Sequence, residues 1–146
     1  MKEKHCTINK YASMLYRLSH PYFEKKLALY HIGSGQQFFL MRVYEHPGIS
    51  MQALAQLGCY DKGTTNRAVE KLREQGYVRV ECDKSDRRVR RIFATEKALT
   101  VMQVVYDMLG EWNDVLMQGI SEEDRKLCER VMERMTQNAY NYRERE

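Results

Sequence analysis

Between residues 61 and 67 the chain reads Asp-Lys-Gly-Thr-Thr-Asn-Arg, a string whose side chains suit the chemistry of a polyanion. Lys62 and Thr64 fit phosphate or base contact near a helix entry, and Asn66 and Arg67 carry the donor patterns that match adenine and guanine edges. Asp61 can cap such a helix, whose N-terminal amides and dipole themselves favour phosphate. A second cluster follows, in which Lys84, Arg87, Arg88, Arg90 and Arg91 crowd around Asp86. That acid can hold one arginine in place while others reach a narrow minor groove, where weakly hydrated guanidinium groups are favoured. Alternation along a strand sends Arg87 and Arg91 one way and Arg88 and Arg90 the other, so not all four can meet one ligand. The plainer readings are a solvated helix face and a solvated charge run on a hairpin tip.

Charge distribution sharpens the first reading. From Tyr60 to Phe93 there are ten Lys and Arg against six Asp and Glu, whereas the remainder of the chain is balanced, fourteen against fourteen. Counterion release depends on the charges that touch a nucleic-acid backbone, so a local excess says more than the overall +4. With 146 residues, 43% of them hydrophobic and 30% charged, the composition is that of one soluble, helix-rich domain spanning 1–146. No apolar run reaches signal-peptide or membrane length, which predicts a cytoplasmic protein without a membrane partner. Cys6, Cys59, Cys82 and Cys128 form no CxxC pair and no zinc-finger spacing, so no metal, disulfide framework or cofactor is expected. A phosphate-cradling glycine loop, His/Glu metal spacing and a nucleophile elbow are all missing, which argues against an enzyme.

The elements that must position these residues follow from periodicity. Ile8, Tyr11, Leu15, Leu18 and Tyr22 recur at helical spacing, with a kink or fresh start expected at Pro21 before the pattern continues through Phe23, Leu27 and Tyr30. Ser34 can cap a second helix over 36–45, which His46-Pro47-Gly48 ends. Ser50 can cap a third over 51–57, closed by Gly58, and Asp61 a fourth reaching about Gln75, with Ala68, Val69 and Leu72 inward and Gly76 as its stop. Two helices about so short a turn form a helix-turn-helix. Beyond Gly76 the period falls to two: Tyr77, Val78 and Val80 predict one strand, Val89, Ile92 and Phe93 another, with 83–88 as a polar hairpin loop. Thr95 can then cap a long helix with Ala98, Val101, Val105, Met108, Trp112 and Val115 on one seam, widened by Leu99, Met102, Leu109 and Leu116. Ser121 opens a last helix whose apolar row is Leu127, Val131, Met135 and Tyr142.

In this order the elements resemble the MarR family of bacterial regulators, over about residues 13–139. The strings that carry the resemblance are Leu15-Tyr16-Arg17, Ile32-Gly33-Ser34-Gly35-Gln36, Pro47-Gly48-Ile49-Ser50, Asp61-Lys62-Gly63-Thr64-Thr65, Leu72 with Gly76-Tyr77-Val78, Asp86-Arg87-Arg88 and Thr95-Glu96-Lys97. Two positions depart from the pattern: Ala98 stands where the family usually has glycine, and Gly58 lies one residue early in the turn. The fold expected is mainly α with a two-stranded β wing, a winged helix-turn-helix over 34–94 between dimerisation helices at 8–32 and 96–142. The resemblance implies a regulator, most simply a repressor, that reads pseudo-palindromic double-stranded DNA as a homodimer. Its candidate contacts are Ser50, Gln52, Lys62, Gly63, Thr64, Thr65, Asn66, Arg67, Lys71, Lys84, Arg87, Arg88 and Arg90.

Unsatisfied apolar rows on the terminal helices independently favour pairing across a two-fold axis. A small-molecule effector is a possible further partner, with Tyr11, Tyr16, Phe38 and Trp112 as candidate lining, although aromatic stripes at this spacing are more often plain core. Cys6 and Cys59 are oxidation-sensor candidates, the second because it precedes a helix N-terminus. The rival to DNA is an acidic protein partner for the same winged module.

Overall fold

The computed structural model describes residues 7–145. Its elements are α1 (Thr7–Leu27), a 3-10 turn (Ala28–Tyr30), α2 (Ser34–Glu45), β1 (Ile49–Ser50), α3 (Met51–Leu57), α4 (Lys62–Glu74), β2 (Val78–Cys82), β3 (Arg90–Ala94), α5 (Glu96–Leu116) and α6 (Glu122–Arg143). They fall into two compact units divided within α5, one reaching Met108 and the other starting at Leu109. Among the described residues no helix is long and apolar enough to cross a membrane.

The N-terminal unit closes around a core drawn from α1 to α4, the hairpin strands and the first half of α5. Leu27, Phe39, Leu40, Val43, Leu54, Leu72 and Ile92 are fully buried, and Val101, Met102, Val105 and Met108 of α5 close the layer. Each such side chain contributes about 1.5 to 3 kcal/mol on leaving water, which is what holds the short elements in place. In α4 the inward row is Thr65, Val69 and Leu72, with Ala68 only half-buried.

Several expectations change at this level. Of the two outcomes expected at Pro21, the fresh start does not occur: α1 continues through it to Leu27, since proline's fixed φ is itself helical and the ring removes a single hydrogen bond. Tyr30 falls in the 3-10 turn, beyond the helix. Ser34 is the first residue of α2 and not its cap; Gly33 holds that place, its N–H donating to Gln36 Oε1 at 2.9 Å. Gly58 closes α3 as expected, and the left-handed residue of the turn is Cys59, at φ +56°. Gly58 is small for another reason, because a Cβ there would stand 2.6 Å from a Phe38 ring carbon. Leu99 and Val115, on the broad apolar seam read for α5, are 54% and 52% exposed in the single chain.

The hairpin is also more than two strands. β1 pairs antiparallel with β3, giving the order β1-β3-β2, with Ile49 opposite Ile92 and Val80 opposite Ile92 on the other side. β1 has two residues, too few to show a period of two. Val89 lies in the hairpin loop, where its carbonyl accepts from Asp83 N–H at 2.8 Å.

Candidate nucleic-acid interface

The entry to α4 is built by Asp61. Its Oδ1 accepts from the Thr64 N–H at 2.7 Å and its Oδ2 from the Thr64 hydroxyl at 2.8 Å. Those two bonds, the backbone one first, hold the Asp61 carboxyl below its ordinary range. Thr64 Oγ1 in turn accepts from Arg67 Nη2 at 3.2 Å. A relay of cap, hydroxyl and guanidinium therefore orders Arg67 before any partner arrives. Gly63 leaves room for it: a Cβ there would lie 3.3 Å from both Arg67 Nη1 and Asp61 Oδ1.

Along α4 the outward residues recur at three and four steps. Asn66, Arg67, Glu70, Lys71 and Glu74 line an open groove whose far wall is Arg90 of β3. Lys62, Gly63, Arg67 and Lys71 are exposed, and Thr64 and Asn66 half-buried. Thr65 departs from the sequence expectation. It is fully buried, with its hydroxyl donating to the Asp61 carbonyl at 2.9 Å, so it is a core residue and not a surface contact.

In α3, Ser50 caps the helix through Oγ, which accepts from Ala53 N–H at 3.1 Å, and Gln52 beside it is exposed. The hairpin loop is organised by two acids where one was expected. Asp83 accepts from the Ser85 and Asp86 N–H groups at 2.8 and 3.0 Å and from Arg91 Nε at 2.9 Å. The Asp86 N–H bond, followed by the Arg91 contact, lowers the Asp83 pKa. Arg91 also donates to the Gly48 carbonyl at 3.3 Å, which ties the loop to the base of the sheet. Asp86 takes the remaining role, accepting from the N–H and Nε of Arg88, both at 3.1 Å, and these contacts depress its own pKa. Lys84, Arg87, Arg88 and Arg90 remain exposed, Arg88 at 91% of its side chain despite its acid partner. Because Arg87 and Arg88 sit in the loop, strand alternation does not govern where they point.

Glu70 and Glu74 share the groove with Arg67, although nothing in the basic pattern of the sequence points to them. Glu70 is clamped by the Arg73 guanidinium, whose hydrogen bond is the main cause of its lowered pKa. Both acids lie at helical spacing from Arg67, the one signal in the sequence that places them on its face. Of the aromatic candidates, Phe38 packs on Tyr60 with centroids 5.6 Å apart, and Tyr60 titrates high through burial and then through Tyr16. Tyr11 and Tyr16 stand exposed on α1, while Trp112 belongs to the C-terminal unit. Cys59 is exposed, and Cys6 lies outside the described residues. Among the described residues no group of His, Cys, Asp and Glu has the arrangement of a metal site.

A capped helix, a tight turn, a second capped helix and a basic antiparallel hairpin form a winged helix-turn-helix. Residues 34–89 match the model of the MarR family. The chain is 38% identical to a MarR transcriptional regulator of Methanosarcina mazei, whose structure superimposes with a TM-score of 0.85 over 92% of this chain and 97% of that one. It is 29% identical over 104 residues to the HTH-type regulator YybA of Bacillus subtilis, covering 71% of this chain and 69% of that protein. MepR of S. aureus, solved as a complex with DNA, shares the fold at a TM-score of 0.81 and 17% identity, over 89% of this chain and 96% of that one. The chain belongs to the MarR family. It is accordingly a transcriptional regulator and not an enzyme.

Proposed function

We propose that the protein represses transcription as a homodimer that binds pseudo-palindromic double-stranded DNA, in the cytoplasm, and is released by a small ligand. One observation carries this reading: the outward face of α4, with Arg67 pre-ordered by Asp61 and Thr64, faces a groove walled by Arg90 of the wing. A helix of this kind enters the major groove with its first residues on base edges, so Lys62, Gly63, Thr64, Asn66 and Arg67 read while Lys71, Ser50 and Gln52 hold phosphates. Lys84, Arg87, Arg88 and Arg90 on the wing suit the adjoining minor groove. That MepR was crystallised with DNA supports the same docking for a shared fold.

Pairing follows from the helices that bracket the winged part. One small module buries too little surface for tight specific binding, and residues 8–32 and 96–142 carry apolar rows able to meet those of a second copy. Repression needs nothing beyond occupancy of a promoter. Release needs a ligand with different affinity for two states of the dimer, and the aromatic side chains around Tyr16, Phe38 and Tyr60 suit a flat apolar one.

Selection of bound duplexes from a random pool tests the reading. Wild-type protein is expected to return an inverted repeat and to repress transcription from a template carrying it, and Arg67→Ala to lose preference at one position of each half. A pool that stays random after repeated rounds overturns the proposal, as does binding whose logarithm does not fall with the logarithm of salt concentration.

A further inference from the structure

The end of α4 opposite its reading residues is held from two directions. On one side the Gln75 side-chain amide donates to the His31 carbonyl, and the Tyr77 hydroxyl donates to the Tyr30 carbonyl at 2.7 Å. Two successive carbonyls at the junction of α1 and α2 are thereby engaged. On the other side Lys97, in the first turn of α5, donates to the Gln75 carbonyl at 2.6 Å and stands 4.5 Å above the Tyr77 ring. Thr95 Oγ1 donates to the Gly76 carbonyl at 2.6 Å. Gln75 and Tyr77 are thus held to both flanking helical segments, and Gly76 between them to the start of α5.

Part of this has an ordinary structural cause. Tyr77 is buried, so its hydroxyl requires a partner, and helix-end carbonyls attract cations. The pull of a helix-end carbonyl on a cation accounts for the Lys97 bond to Gln75, but not for the same exposed ammonium lying over the Tyr77 ring, where it could instead stay hydrated. Nor does it cover Gln75, which reaches from α4 across to the segment following α1.

We propose that Gln75, Tyr77 and Lys97 are positioning residues that lock the pitch of α4 to the end of α1 and the start of α5, and so set the half-site spacing the protein accepts. This rests on the dimeric, DNA-reading function proposed above, because spacing has meaning only for two coupled copies. The lever is long: α4 has 13 residues, and a helix of that length spans about 20 Å. Pivoting α4 by about 5° at Gln75 moves Lys62 and its neighbours by roughly 2 Å, enough to spoil contacts in one half-site when the other is engaged.

The test uses full-length wild type, Tyr77→Phe, Gln75→Ala and Lys97→Met, each titrated with the selected operator. The operators carry the selected half-site separation or one lengthened or shortened by one and two base pairs, alongside an isolated half-site. Wild type is expected to prefer one spacing. The variants are expected to flatten that preference by about tenfold while binding the isolated half-site within about twofold of wild type. Lys97→Met alone decides the matter if a buried variant fails to fold, because Lys97 is exposed and its loss leaves the core intact. Variants that weaken uniformly at every spacing overturn the proposal and leave these residues as structural staples. A retained wild-type spacing profile overturns it as well. Wild type indifferent to spacing overturns both the clamp and the paired reading beneath it.

Discussion

The two compact units dispose of their apolar side chains in opposite ways. Among the described residues, the unit through Met108 sinks eighteen hydrophobic side chains into a closed core, whereas α6 in the other unit buries none. On α6, Leu127, Val131, Met132 and Tyr142 stay between 47% and 66% exposed, in a row at helical spacing. An exposed apolar row of that length is uncommon on a surface that meets only water. α1 divides the same way along its length, exposed at Ile8, Tyr11, Leu15 and Leu18 and buried at Phe23 and Leu27. One region fills a core of its own, while α6 leaves an apolar row open, the surface that the proposed pairing would cover.

Substitutions can break that comparison from either side. The largest expected effect is that of Val131→Glu on α6. It should halve the particle mass measured by light scattering at micromolar concentration and weaken operator binding on the order of 1,000-fold, towards the level of non-specific binding. Its thermal transition in the N-terminal unit should stay near that of wild type. Leu72→Ala should do the reverse, costing about 3 kcal/mol in denaturant unfolding because it opens a cavity in a filled core. Equal losses of stability from both changes would remove the distinction between the units.

Smaller effects sharpen it within α4. Arg67→Ala should lower affinity for the selected operator by roughly 10- to 100-fold with thermal stability unchanged, as read by titration at fixed salt. Asp61→Asn should act least, since asparagine also caps helices. Its signature is in the pH profile. The Asp61 carboxyl titrates below its ordinary value near 3.9, so its stabilising bonds are complete above that value and vanish as pH falls through the lower folded one. The wild-type melting temperature should therefore fall on acidification below about pH 4, and that of Asp61→Asn should fall less steeply. Parallel profiles would show that the cap carries no such linkage.

Much of this arrangement is legible in the sequence, and the exceptions have physical causes. α4 is legible because Asp61 caps it, Gly76 follows it and Val69 and Leu72 mark its inner face. Thr65 lies on that inner face too, one turn before Val69, but a hydroxyl suggests surface until its bond to the Asp61 carbonyl is seen. Gly58 is legible as the end of α3, but the reason for a glycine there, the closeness of the Phe38 and Tyr60 rings, is tertiary, and so is the left-handed turn at Cys59. Asp83 escapes notice for a similar reason: its partner Arg91 is eight residues away and meets it only once the hairpin closes. The bonds around Gln75, Tyr77 and Lys97 join segments far apart in the chain, and no local pattern announces them.

The central claim is that two copies, joined by terminal helices, read two half-sites at once. Its most direct test is the ratio of dissociation constants for a duplex carrying the full inverted repeat and an equal-length duplex carrying one half. The account predicts tighter binding to the full site by on the order of 100-fold or more, with two chains per duplex. Equal affinity for the two duplexes, or one chain per full site, would contradict it.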